Sequence, residues 1–294
     1  MRRLGYIPAL AGLLLVSAFP ALAASDYEQA LALYNKTDYR AAVSVLKTLP
    51  ETARTLELMG QAWLMDAEFK KASDVLEKAV ARAPENSLAW TWLGRAYGRR
   101  AETSFALNAL PLANKTREAF ERAVQLDPHN SEALNDLFTF YMEAPAMVGG
   151  GHDKARKLLP MIAKNDPAEA EFARSRLAEE AKEHHNAEEH LRQAVARAPM
   201  AVGRILDLAA FLARHGHFEE SDRTFLQAGK VAPAAPKVLF ARAQALIKAN
   251  RELPTARELL RNYLASPNLT PDDPPRTEAL KLLWKAQGMK DLGT

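Results

Sequence analysis

Prolines recur along this chain at Pro50, Pro84, Pro128, Pro167, Pro199, Pro233 and Pro267, with spacings of 34, 44, 39, 32, 34 and 34 residues. Self-similarity at such a period marks stacked supersecondary units rather than a single globular core. Between the prolines apolar residues fall at i, i+3, i+4 and i+7, so each unit reads as two helices with one buried stripe apiece. Proline closes the second helix because it has no N–H to donate and restrains the residue before it. A single helix pair cannot bury its own stripe. Stacked neighbours must supply the missing cover.

Two units carry the pattern most fully. One places Leu56, Met59, Gly60, Trp63, Phe69, Ala72, Leu76, Ala79 and Pro84 at matching steps; another repeats the register through Ile205, Leu208, Ala209, Leu212, Gly216, Phe218, Ser221, Phe225, Ala228 and Pro233. These residues resemble the signature of tetratricopeptide-repeat (TPR) proteins, and the resemblance runs from about Asp26 to Pro267. It implies an all-α fold, a right-handed α-solenoid of antiparallel helix pairs with about seven units and a C-terminal capping helix. Small residues (Gly60, Gly94, Ala209, Ala243) let the paired helix approach, and Ala79, Ala123, Ala194 and Ala228 do so for the next unit.

Several units depart from the repeat. The first has a short second helix before Pro50, and the third closes at Pro128 ten residues late, with extra chain around 101–115. In the fourth, Phe138 replaces the small residue and the turn is enlarged to residues 143–153. The fifth (Leu177, Ala178, Ala187, Leu191, Ala194, Pro199) reads as having a shortened turn that contains His184, His185 and Asn186. The seventh carries Pro254 where its second helix should begin, a favourable first-turn site. Beyond Pro267, residues 268–294 read as a polar, proline-rich linker and a closing helix with Leu280, Leu283 and Trp284 on its inner side. The runs at 93–101 and 144–155 also resemble a group of exported bacterial TPR proteins of undefined role.

The first 23 residues stand apart. Arg2 and Arg3 precede a Leu/Ala-rich run broken by Pro20, and Ala21-Leu22-Ala23 supplies small residues for cleavage before Ala24. That is the form of a secretory signal peptide, favoured over an uncleaved anchor by Pro20 and the small residues. The chain has no cysteine, which excludes disulfides, thiolate metal sites and a Cys nucleophile. An exported, disulfide-free helical protein is expected in a bacterial periplasm, with no membrane span after cleavage. Its 39 basic residues against 36 acidic ones leave no broad basic footprint, so nucleic acid is not an expected partner.

Catalytic signatures such as G-x-S-x-G and H-E-x-x-H are missing, and the chain reads as a non-enzyme without cofactor. His184, His185 and His190, near Glu183, Glu188 and Glu189, are the obvious metal candidates. Adjacent residues point apart, however, and a polar helix face is the better reading, so no metal site is assigned. His215 and His217 flank Gly216 as turn residues. Gly149, Gly150 and Gly151 precede a helix and could offer amides to an anion, but Lys154 lies too late for a phosphate loop.

The expected contact surface is the concave face lined by the first helix of each unit. Arg95 and Arg99 fall there on successive turns, with Gln61 and Met65 from the unit before and Thr139, Met142 and Glu143 from the unit after. Planar guanidinium forks suit carboxylates. Ordinary ion pairing with Glu102 and Glu143 is the competing reading. Met147, Val148 and the three glycines of the enlarged turn are added as a surface that could mould onto a partner. The expected role is a non-catalytic scaffold binding a protein or peptide of the cell envelope. The alternative is a component that binds a small anionic solute for uptake.

Overall fold

The computed structural model describes residues 19–233 and 235–288. Most of the leader-like segment, residues 1–18, lies outside the described residues, as does the chain from residue 289 on. Among the described residues the regular structure is all helical, with no strand. Helices α1 (Phe19–Asn35) and α2 (Tyr39–Leu46) form the first unit, and α3 (Ala53–Met65) and α4 (Phe69–Arg82) the second. The third and fourth are α5 (Ser87–Glu102) with α6 (Ala106–Leu126), and α7 (Ser131–Glu143) with α8 (His152–Asn165). Then come α9 (Pro167–Glu180) with α10 (His184–Arg197), α11 (Val202–Arg214) with α12 (Phe218–Val231), and α13 (Pro236–Lys248) with α14 (Leu253–Ala265). Helix α15 (Arg276–Ala286) closes the stack. Each helix packs on its sequence neighbours, and first helices of adjacent units touch along the inner face. The fold is the expected solenoid of helix pairs.

Local chemistry sets the helix ends. Thr52, Asn86, Asn130 and Asp166 cap α3, α5, α7 and α9 by accepting amide hydrogen bonds from Thr55, Ala89, Ala133 and Glu169. The caps also tie units together: Asn86 donates to the Glu57 carboxylate at 2.7 Å, and Asn130 to the Ser87 hydroxyl at 2.7 Å. Close approach within a unit needs the glycines. A Cβ on Gly60 would sit 2.4 Å from the Leu76 side chain, and one on Gly94 would sit 2.5 Å from Phe120.

Within the pairs, a recurring turn follows the first helix. The amides of Asp38, Glu68, Glu183, His217 and Arg251 each donate back to Leu33, Trp63, Ala178, Leu212 and Leu246 at 2.9 Å. Just before each donor stands a left-handed residue: Thr37, Ala67, Lys182, Gly216 and Asn250. The fifth unit therefore has the ordinary turn, not a shortened one, and His184, His185 and Asn186 open α10. What is short is the link before it. A single residue, Asp166, joins α8 to α9, and Pro167 is the first residue of α9 instead of the terminator of α8.

The extra chain of the third unit lengthens the helices: α6 has 21 residues where α4 has 14. The tip of this hairpin exposes Phe105 and Leu107, each 89% accessible. The enlarged turn of the fourth unit, with its short helix 146–148, packs against α6, so the two irregularities cover each other. At the end of the stack, α15 packs Ala279, Leu283 and Ala286 against Phe240, Leu260 and Tyr263 of the last unit. Leu283 is on the inner side as expected. Leu280 and Trp284 are not; Trp284 is 39% exposed, because alanines form the packing stripe instead. Among the described residues no helix is long and apolar enough to cross a membrane.

Candidate functional site

On the inner face, α5 presents Trp92, Arg95 and Arg99 on successive turns. Arg95 is half-buried and already paired: its Nε donates to Asp136 at 2.6 Å and a terminal nitrogen lies 2.8 Å from Glu132, both on α7. Its guanidinium also stacks 4.5 Å from the Trp92 ring. Burial opposes its charge, but the Asp136 and Glu132 carboxylates outweigh that and hold the group above its ordinary pKa. Arg99 pairs with Glu102 and lies 5.1 Å over the Phe69 ring. Each fork thus carries carboxylates of the chain itself. Glu143, weighed as a partner for these arginines, pairs with Arg176 at 2.8 Å.

Beside this row lies a groove of about 1030 Å³. Gln61 and Met65 of α3, Leu64, Phe69 of α4, and Leu88 and Trp92 of α5 line one side, with Tyr34 at its end. The opposite wall is the proline-rich segment after α14: Thr270, Pro271, Asp272, Pro275, and then Thr277 and Glu278 of α15. The far end of the sequence has come back to face the first two units. A second hollow of about 200 Å³ separates the same segment from Thr37, Tyr39, Met65 and Asp66. The segment is pinned from behind. The Tyr263 hydroxyl donates to the Pro274 carbonyl, Arg276 to the Leu264 carbonyl, and Leu269 is buried with Phe240 and Tyr263. The Asp273 carboxylate accepts from the Thr270 amide and hydroxyl, both at 2.9 Å. Burial, then Asp273 and Asp272 of this segment, push the Tyr39 phenol up to about 12.

Of the other expected contact residues, Thr139 and Glu143 line an adjoining hollow of about 430 Å³ that shares Arg95 and Arg99 with the groove. Arg176 of α9 already holds both, at 3.2 and 2.8 Å. Met142 and Val148 are buried and unavailable to a partner, whereas Met147 is 75% exposed. The glycine turn is packed. Amides of Gly149, Gly150 and Gly151 donate to the carbonyls of Ala146, Pro145 and Tyr141, so none is left for an anion. A Cβ on Gly150 would lie 1.8 Å from the Ala144 carbonyl oxygen, and one on Gly149 would lie 2.5 Å from Arg117. These glycines permit close packing.

Farther along, the inner face is filled by charge. Arg204 of α11 meets Glu169 of α9 at 3.1 Å and stacks 4.4 Å from Phe172, while Arg214 holds Glu179 at 3.0 Å. Asp207 lies beside Arg204 at 3.4 Å, and burial raises its carboxyl to about 6. Lys248 and Arg214 border a hollow of about 440 Å³ whose remaining wall is mostly alanine.

The histidines disperse. His184 stacks on His215 at 4.5 Å, His215 approaches Glu179 at 3.3 Å, and His190 Nδ1 lies 2.9 Å from Glu171. Among the described residues no three His, Asp or Glu side chains gather as a metal site would require. Glu171 itself escaped the sequence reading. It is buried in α9, where the shared turn register places Ile205 in α11, and is held by Arg174, His190 and Arg197. Ser44 and Lys47 also stand at Ser-x-x-Lys spacing. The Ser44 hydroxyl donates to the Arg40 carbonyl at 2.9 Å and Lys47 lies 5.3 Å over Trp63, so the two do not form a nucleophile–base pair.

No protein-family model matches the chain, and no curated protein matches it in sequence. Among solved structures it is similar to a tetratricopeptide repeat protein from Parabacteroides merdae, at 12% identity and a TM-score of 0.58, over 90% of this chain and 98% of that one. It is also similar to a thermophilic TPR protein of Thermus thermophilus, at 18% identity and a TM-score of 0.54, over 65% of this chain and 98% of that one. A monomeric mutant of IFIT1 with Gppp-AAAA matches at 16% identity and a TM-score of 0.51, over 73% of this chain and 55% of that one. At such identities the likeness establishes the fold, a TPR solenoid.

Proposed function

We propose that this TPR solenoid is a non-catalytic interaction scaffold, exported to the periplasm, that holds an extended segment of a partner protein on its inner face. The groove of about 1030 Å³ beside Trp92 and Arg95 carries the reading. It adjoins the hollow around Thr139 and Glu143 through the shared Arg95 and Arg99, giving a track suited to a chain. Stacked helices preform the track, so little ordering entropy opposes binding on this side. Export is supported by Arg2, Arg3, the apolar run and Ala21-Leu22-Ala23. The anionic-solute alternative draws less support, because Arg95 and Arg99 are both engaged by carboxylates.

The test is affinity capture from the envelope fraction, comparing the natural chain with Leu88→Ala/Trp92→Ala and with Arg214→Ala on the charge-filled stretch. A partner held by the natural chain and by Arg214→Ala, but lost from the groove variant, is the expected result. Equal capture by all three chains places the contact elsewhere.

A further inference from the structure

Taking the peptide-groove reading as its premise, we infer that the occupant is cationic: an extended stretch in which lysine or arginine alternates with large apolar side chains. Successive side chains of an extended peptide point to opposite sides. The groove offers two unlike surfaces to such a chain. Met65, Phe69, Leu88 and Trp92 make an apolar side, and Leu88 is 38% exposed there. Facing them, the returning segment presents Asp272 and Glu278, which have no ion-pair partner among the described residues. The arginines do not reverse this sign. Arg95 is held by Glu132 and Asp136, and Arg99 by Glu102, and the groove lining itself carries two guanidinium groups against three carboxylates, Glu132, Asp272 and Glu278. Tyr34 at the groove's end is raised chiefly by burial and then by Tyr39; Arg95 opposes that rise, and Asp272 and Glu132 add to it. Charge complementarity of this kind selects the partner and speeds encounter more than it adds affinity. A volume of about 1030 Å³ is at the upper end for small-ligand pockets and admits a short stretch of chain.

The probes are three blocked hexapeptides titrated calorimetrically into the chain: alternating lysine and phenylalanine, alternating glutamate and phenylalanine, and alternating lysine and serine. A pentameric RNA oligonucleotide is the fourth. The lysine–phenylalanine peptide is expected to bind with one-to-one stoichiometry, at least roughly tenfold tighter than any other probe, and to weaken as salt rises. Asp272→Asn/Glu278→Gln should weaken it roughly fivefold, in line with two solvent-exposed charge pairs. Trp92→Ala should abolish binding, and Trp92→Leu, which keeps apolar bulk, should restore part of it. Tighter binding of the glutamate peptide or the RNA, or no binding of the lysine–phenylalanine peptide, overturns the inference. So does an affinity unmoved by Asp272→Asn/Glu278→Gln. If envelope capture is lost with Leu88→Ala/Trp92→Ala while the lysine–phenylalanine peptide fails, the scaffold reading stands and only the cationic occupant falls.

Discussion

The inner face of the first three units and that of the fifth and sixth use the same helices in opposite ways. In the fifth and sixth, each arginine reaches the acid of the preceding first helix, as Arg204 does to Glu169 and Arg214 to Glu179. These ion pairs bridge α9 and α11, and the hollow beside Arg214 opens only further on, against α13. In the front stretch α3 offers Gln61 and Met65, neither of which carries a charge, and Arg95 pairs the other way, with α7. A gap is left between α3, α5 and the returning C-terminal segment. The fold alone therefore does not make a site; the charge choice at a few inner positions decides which stretch stays open.

Substitutions can break or sharpen this contrast. The largest effect is expected at the packed turn of the fourth unit, between the two stretches. Gly150→Ala forces a Cβ into the Ala144 carbonyl and should cost about 3 kcal/mol or more in thermal unfolding. Gly229→Ala, inside α12 with open space around it, should instead gain up to about 1 kcal/mol. Next is Arg95→Glu, which would gather three carboxylates where Asp136 and Glu132 now share one cation, an expected loss of about 2 kcal/mol. Arg214→Ala removes a more exposed pair and should cost less than about 1 kcal/mol, read in the same melts.

A pH-dependent difference also marks the charge-filled stretch. Burial raises the Asp207 carboxyl from 3.8 to about 6, so between those values the folded chain holds a proton that the unfolded chain has lost. Stability conferred by that proton is present below pH 4 and fades as pH climbs towards 6. Asp207→Asn should therefore stabilise the chain by about 1–2 kcal/mol at pH 7 and by little at pH 4, in denaturant titrations at both. The smallest change is Lys182→Gly, which relieves a left-handed backbone at φ 63 and should add up to about 1 kcal/mol.

The solenoid was legible because its cause is periodic. Gly60 and Gly94 recur where a helix must approach, and the prolines mark unit ends. What escaped was whatever the period could not encode. Pro167 counts as another terminator, although it opens α9, because a proline fits either side of a short link. Lys182 gives no hint that it occupies the place held by Gly216, so the fifth turn looked short. In α15 the packing stripe is largely alanine, and the larger Leu280 and Trp284 drew attention to the wrong face. Glu171 reads as a surface residue until Arg174, His190 and Arg197 from α9 and α10 are seen around it.

Arg95 and Arg99 were legible as inner-face residues, and so was Glu102 as a partner; Glu132 and Asp136, which occupy Arg95, lie on another helix. The meeting of residues 270–278 with the first two units has no local signature at all. It arises from the superhelical rotation added unit by unit, which sequence spacing alone does not supply.

That meeting is the premise of the groove and of every contact placed in it. Since the chain has no cysteine, Asn35→Cys/Thr277→Cys introduces two unique thiols on opposite walls for spin labelling and a pulsed dipolar distance measurement. A single short, narrow distance distribution in the absence of any partner is predicted. A long or broad distribution would mean that the two ends of the solenoid stand apart, and that the groove does not exist.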